Sequence, residues 1–70
     1  MKDIHLVVAD NIRRFREERS YTQETLALDS GLHRAYIGQV ERGEKRIGLT
    51  NLQIIANTLK VDIKEFLSEE

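Results

Sequence analysis

The chain has 70 residues, with 11 lysines and arginines against 12 acidic residues and no cysteine or proline. This length allows one domain, and the absence of cysteine excludes disulfides and thiolate metal sites. No apolar run approaches the ~20 residues of a membrane helix and no secretory signal opens the chain, so we expect a cytoplasmic protein whose net charge of −1 gives no hint of a nucleic-acid partner.

Apolar residues recur at three- and four-residue steps along most of the chain, which predicts helices. The apolar stripe of the first helix consists of Ile4, Val8, Ile12 and Phe15. The second helix begins after Thr22, a favoured N-cap, and carries Glu24 in its first turn, where a negative charge suits the helix dipole. Tyr21 before this cap and Leu26 within the helix can form a hydrophobic staple.

Three further helices are predicted after the first glycine. The third runs from His33 to Arg42 and stops at Gly43, because glycine is the favoured left-handed residue at a helix end. The fourth runs from Leu49 to Leu59, and the fifth starts at about Asp62. No segment alternates cleanly between apolar and polar residues, so the expected fold is all-α, with five short helices in one domain over residues 1–70.

The connection between the second and third helices is only Ser30-Gly31-Leu32. Helices joined this tightly cross at a steep angle, and Gly31 supplies the left-handed residue that the turn needs. Ala27 is small enough for the point where the two helices approach, and Ile37 and Val40 return from the third helix to fill the contact. This spacing predicts a helix-turn-helix formed by the second and third helices.

Several short motifs carry a family resemblance. They are Thr22-Gln23-Glu24-Thr25-Leu26-Ala27, Gly31-Leu32, Tyr36-Ile37, Glu41-Arg42-Gly43 and Leu52-Ile55-Ala56-Leu59. The chain resembles the Xre-type helix-turn-helix domains of phage repressors, which have the lambda-repressor-like fold, from about Ile12 to Leu67. It is especially similar to the controller proteins of restriction–modification systems, whose recognition helix often reads Arg-x-Tyr-Ile. The resemblance implies a compact five-helix domain and a homodimer that binds a palindromic operator in the major groove of double-stranded DNA.

The start of the third helix is expected to enter the major groove, because the N-terminal end of a recognition helix faces the base edges. The candidate base-contacting residues are His33, Arg34, Ala35 and Gln39. Arg34 can bind guanine with two hydrogen bonds and Gln39 can do the same with adenine, each pair contributing ~1–3 kcal/mol of discrimination. The alternative for both is a solvated surface residue. Ala35 either contacts a thymine methyl group or leaves room for the backbone.

A second group of residues is expected to contact the DNA backbone. These candidates are Gln23, Tyr36, Arg42, Lys45 and Arg46. Gln23 matches a family glutamine that binds phosphate, and the amides at the start of its helix favour an anion. The three cations past the third helix are placed to bind phosphates, although a solvated loop that includes Glu44 is the alternative. Tyr36 matches the controller-type tyrosine, with phosphate, base or core packing as its open alternatives.

Arg16 and Glu41 match a charged pair that ties the first helix to the end of the third in related repressors. Arginine suits this role because its planar fork meets a carboxylate with two parallel hydrogen bonds. The alternative is two unrelated surface charges. The pair is structural and belongs to no catalytic group.

The resemblance also implies that the C-terminal segment is the dimer seam. Its candidates are Ile54, Val61, Ile63, Phe66 and Leu67. Ordinary core packing is the alternative, most clearly for Phe66. If the seam lies here, truncation before Val61 yields a monomer that binds its operator much more weakly.

Three residues depart from the family pattern. Ser20 stands where the family prefers glycine, His33 replaces the usual Ser, Asp or Thr cap, and Gly48 replaces the usual Ser before the fourth helix. The last two changes weaken capping, and His33 leaves the first base-reading position chemically ambiguous.

We therefore expect a sequence-specific DNA-binding transcription regulator, a repressor or autoregulator of the restriction–modification controller type. The alternative is an antitoxin-like module that neutralises a partner protein. His5 and His33 are far apart with no carboxylate at ligand spacing, so we expect no metal, and no cofactor is expected. No nucleophile with a paired base and no Gly-rich phosphate loop is present, so an enzyme is not expected.

Overall fold

The computed structural model describes residues 3–69. It contains four α-helices, here α1 to α4, and a C-terminal 3-10 helix: Ile4–Glu18, Gln23–Ser30, Arg34–Glu41, Leu49–Leu59 and Ile63–Leu67. The all-α expectation is confirmed, since this part of the chain contains no strand. The last of the five expected helices is a five-residue 3-10 helix between the Asp62 cap and Ser68, so the count of α-helices in the described residues is four. Within the described residues, no helix is long and apolar enough to cross a membrane.

One hydrophobic core joins all five elements. Its residues are Val8, Ile12, Phe15, Leu26, Ile37, Val40, Leu52, Ile55, Ala56, Leu59, Val61 and Phe66. α1 packs against the 3-10 helix and α3, while α2 packs against α3 and α4. The helix-turn-helix is therefore supported on one side by α1 and on the other by α4.

α1 and α3 end in the same backbone geometry. After α1, Ser20 has φ +63°, and the backbone N–H groups of Ser20 and Tyr21 donate to the carbonyls of Glu17 and Arg16 at 3.0 and 2.9 Å. After α3, Gly43 has φ +77° and makes the equivalent bond to Val40 at 3.0 Å. Both ends are Schellman motifs, so the departure at Ser20 places a non-glycine residue in a left-handed position.

The helix starts differ in how their free N–H groups are satisfied. Thr22 caps α2 in a reciprocal capping box, in which its side chain accepts from the Thr25 N–H and the Thr25 hydroxyl accepts from the Thr22 N–H. His33 and Gly48 precede α3 and α4 and make no side-chain cap bond. The weak capping expected at these two positions is confirmed.

The C-terminal segment is fastened to α1. The buried Asn11 side chain donates from Nδ2 to the carbonyls of Phe66 and Ser68 at 2.7 and 2.8 Å. The Phe66 ring meets the Phe15 ring edge to face, with centroids 5.4 Å apart. Phe66 is fully buried and Val61 is 7% exposed within a single chain, which favours the core-packing alternative over a place in the dimer seam. They complete the core of the monomer.

Candidate nucleic-acid interface

The turn between α2 and α3 sets the angle between the two helices. Gly31 follows α2 with φ +78°, and its N–H donates to the carbonyl of Ala27 at 2.9 Å. Leu26 of α2 and Ile37 of α3 are buried, and Ala27 packs against the core while half-buried. These contacts confirm the helix-turn-helix expected from the sequence, and they hold α3 at a defined angle with one face outward.

The first turn of α3 is open to solvent. Arg34 and Ala35 are exposed, as is His33 directly before the helix, whereas Gln39 is half-buried. The backbone carbonyl of Gln39 accepts from the N–H groups of Glu44 and Lys45 at 2.8 and 3.3 Å, so the following loop folds back against the end of α3. The structure thus brings three of the four candidate base-contacting residues to one exposed helix start.

A buried polar network ties this surface to α1. Arg16 donates from Nε and Nη2 to the two carboxylate oxygens of Glu41 at 2.7 and 3.1 Å, with side-chain exposures of only 10% and 3%. Arg16 Nη1 also donates to the Tyr21 carbonyl at 2.9 Å. Gln23 Nε2 donates to Glu41 Oε1 at 3.0 Å. The pair is therefore formed and desolvated, and it also orients the amide of Gln23 at the start of α2.

Arg42 lies beside this network and is itself paired. Its Nε and Nη2 donate to the two carboxylate oxygens of Glu44 at 2.9 and 3.1 Å. These hydrogen bonds lower the pKa of the Glu44 carboxyl and raise the pKa of Arg42. A methyl group at Gly38 would come within 3.1 Å of Arg42 Nη1 and 3.4 Å of Gln23 Oε1. Gly38 thus makes room for the guanidinium on the face of α3.

The other two loop cations differ in their surroundings. Lys45 is exposed, and Arg46 Nη2 lies 3.6 Å from Oδ2 of Asp3, the N-cap of α1. The pKa of Asp3 is lowered, first by the hydrogen bond that it accepts from the His5 backbone N–H and also by the charge of Arg46. The positive loop is therefore attached electrostatically to the start of the chain.

Of the three alternatives for Tyr36, which were phosphate contact, base contact and core packing, the unbound chain shows core packing. Its side chain is half-buried against the core, and its hydroxyl accepts from Asn51 Nδ2 of α4 at 3.0 Å. Sequence reasoning missed Asn51, as it missed Asn11 and the Asp3–Arg46 contact. Each joins segments far apart in the chain, and no local pattern marks them.

The remaining seam candidates keep some surface. Leu67 is 49% exposed, while Ile54 and Ile63 are half-buried. Together they leave a smaller apolar surface than the five residues expected from the sequence.

Comparison with known proteins agrees with this architecture. The helix-turn-helix family model matches residues 12–66. The control protein C.SmaI of Serratia marcescens is 41% identical over 68 residues, covering 97% of this chain and 81% of its own length.

Two solved structures have a similar fold. The controller protein C.AhdI of Aeromonas hydrophila has a TM-score of 0.84 at 35% identity, covering 89% of this chain and 94% of that one. The hypothetical transcription factor NHTF from Neisseria has a TM-score of 0.89 at 38% identity, covering 94% and 76%. The chain therefore belongs to the helix-turn-helix family, and restriction–modification control proteins are among its relatives.

Proposed function

We propose that this protein is a sequence-specific DNA-binding transcription regulator, a repressor or autoregulator of the restriction–modification controller type. The observation that carries the proposal is the exposed start of α3, where Arg34 and its neighbours project from a helix fixed by the Gly31 turn. Family membership and the control-protein relatives support the same role. We further propose that it acts as a homodimer on a palindromic operator.

In this proposal α3 reads bases in the major groove. Arg34 binds guanine O6 and N7 through its two-pronged guanidinium, and Gln39 binds adenine, each pair adding ~1–3 kcal/mol of discrimination. His33 and Ala35 flank Arg34 on the same exposed turn and complete the base-reading surface. The exposure of this turn supports the assignment, because its side chains reach a partner without rearrangement of the core.

The backbone contacts come from both sides of α3. Gln23, held by Glu41, presents its amide at the start of α2, where backbone N–H groups favour phosphate. Arg42, Lys45 and Arg46 bind phosphates beyond the end of α3. Tyr36 supports this surface from beneath, and its hydroxyl, which accepts from Asn51, keeps its own hydrogen to donate to a phosphate.

Leu67, Ile63 and Ile54 form the proposed dimer seam. A two-fold axis through this patch places the two reading helices one DNA turn apart, ~34–36 Å. Dimerisation also stabilises a domain of this size, because a small chain buries a small fraction of its surface.

Selection from a pool of random duplexes tests the DNA-binding proposal. We expect one palindromic sequence to be enriched, with binding that weakens steeply as salt rises. Arg34→Ala should cost roughly 1–3 kcal/mol on the enriched duplex and relax one position in each half-site. Lys64→Ala removes the same charge from the 3-10 helix and should leave that preference intact. A pool without enrichment would overturn the regulator and favour the protein-interaction module.

The dimer seam has its own test. Leu67→Glu introduces a charge into the proposed patch, so sedimentation equilibrium should show a shift toward monomer and operator affinity should fall. Leu28→Glu is the matched control, since Leu28 is 76% exposed on α2 and lies outside the patch. Equal effects of the two variants on dimerisation would exclude this seam.

A further inference from the structure

Two of the three cations in the loop after α3 already hold a carboxylate of this chain. Arg42 is bound by Glu44 through two hydrogen bonds of 2.9 and 3.1 Å, and Arg46 lies 3.6 Å from Asp3. Lys45, the third cation, is exposed, as are the two arginines. In the unbound protein, part of the proposed phosphate-binding charge is therefore occupied internally.

The Arg42–Glu44 pair uses the same edge of the guanidinium that a phosphate would use. Carboxylate and phosphate both accept two parallel bonds from an arginine fork. Glu44 takes Nε and Nη2, and the remaining nitrogen, Nη1, faces α3 at Gly38. A phosphate that binds this fork must displace Glu44.

Resting on the proposed DNA-binding function, we propose that Glu44 competes with DNA phosphate for Arg42 and thereby lowers the affinity of the protein for DNA. Non-specific binding depends almost entirely on phosphate contacts, so a cation that is held internally lowers it directly. On an operator, base contacts of α3 keep one phosphate beside Arg42, and that phosphate replaces the carboxylate. Displacing Glu44 costs the same free energy on any duplex, so the carboxylate lowers the affinity for random DNA and for the operator alike. Asp3 acts on Arg46 in the same way, but more weakly because the distance is longer.

Glu44→Gln tests the proposal, because it keeps the size of the side chain and removes its charge. Affinity is measured over a series of salt concentrations for a fixed random-sequence duplex and for the palindrome enriched by selection. We expect the random duplex to bind roughly two- to fivefold more tightly, the range of one exposed ion pair. The slope of log affinity against log salt should steepen by up to about one. The palindrome should gain a similar factor, because its phosphate displaces the same carboxylate.

Glu65→Gln is the matched control, because Glu65 is exposed on the 3-10 helix and loses the same charge. If the two substitutions change the affinity equally, the change comes from net charge alone and the proposal is overturned. Weaker binding of both duplexes by Glu44→Gln would also overturn it, since Glu44 would then position Arg42 rather than compete for it.

Asp3→Asn gives a second, independent variant. Asparagine caps a helix about as well as aspartate, so α1 keeps its start while Arg46 loses its partner. We expect a smaller tightening on the random duplex, and no tightening would remove Asp3 from the proposal. If no variant binds any duplex, the proposed function itself fails. If the wild-type chain enriches a palindrome but Glu44→Gln behaves like Glu65→Gln, only the role of Glu44 is rejected.

Discussion

Ser20 occupies the left-handed position that ends α1, where Gly43 occupies the equivalent position after α3. A residue with a Cβ is disfavoured there by about 1 kcal/mol. We therefore expect Ser20→Gly to raise the melting temperature by roughly 4–8 °C, as 1 kcal/mol does in a domain of this size. Thermal unfolding followed by circular dichroism measures the change.

Gly43→Ala is the matched substitution of opposite sign. It places a Cβ at φ +77° and 2.8 Å from Leu6 Cδ2, so it should destabilise the protein by at least about 1 kcal/mol. A lowered melting temperature for Ser20→Gly would contradict the strain assigned to Ser20.

Residues that act locally could be predicted from the sequence, and residues that act at a distance could not. The Thr22 cap, the Gly31 turn and the unsupported His33 cap depend on neighbours within a few positions, so their residue types predict them. Asn11 and Asn51 bond to segments that only the folded chain brings near. The sequence around an asparagine on a predicted helix does not indicate whether its side chain bonds to a distant segment.

At the scale of elements, the Arg16–Glu41 pair joins α1 to α3. Glu41 is 3% exposed in its side chain, so loss of Arg16 leaves a desolvated carboxylate with only the Gln23 amide bonded to it. We expect Arg16→Met to destabilise the protein by about 3–5 kcal/mol, the range for breaking a buried pair. Urea unfolding measures this loss.

The double variant Arg16→Met/Glu41→Leu distinguishes the free energy of the ion pair from the cost of burying one unpaired charge. Replacing both charges by apolar groups removes the stranded carboxylate, so the double variant should be more stable than Arg16→Met alone. Additive losses from the two single variants would show that the residues act independently, against the geometry of the pair.

The sequence also predicted the order of the four α-helices and, to within one residue, the limits of α3 and α4, since these helices carry their own apolar stripes and end signals. The final element was harder to predict. Ile63, Phe66 and Leu67 fit one face of either an α-helix or a 3-10 helix, and so short a segment has no repeat that tells them apart. Phe66 buries its side chain here because its ring packs against Phe15 and its backbone carbonyl accepts a hydrogen bond from Asn11.

At the scale of the whole molecule, the buried position of Phe66 changes the expected outcome of truncation. Removal of residues 61–70 takes away Val61 and Phe66 from the core, so we expect an unfolded chain and not a folded monomer. Phe66→Ala should cost about 3–5 kcal/mol. Leu67→Ala, next to it and 49% exposed, should cost far less. Loss of dispersed amide signals in NMR spectra reports the unfolding, and a dispersed spectrum from the truncated chain would contradict it.

The net charge of −1 is a sum over a polarised molecule. Positive charge is concentrated in residues 11–20 and 31–50, and negative charge in residues 21–30 and 61–70. The structure reduces the positive surface further, because Arg16, Arg42 and Arg46 each face a carboxylate. Because of this pairing, we expect weak non-specific attraction to DNA. The overall composition does not show the pairing.

The bond from Asn11 to the Phe66 carbonyl spans 55 positions, and it has a consequence for synthesis on the ribosome. While residues near position 66 are still inside the exit tunnel, the core beside Phe15 stays open and the emerging helices have no stable packing. We therefore expect that products of interrupted translation do not fold and are open to proteolysis. Only chains synthesised past this point acquire the complete core.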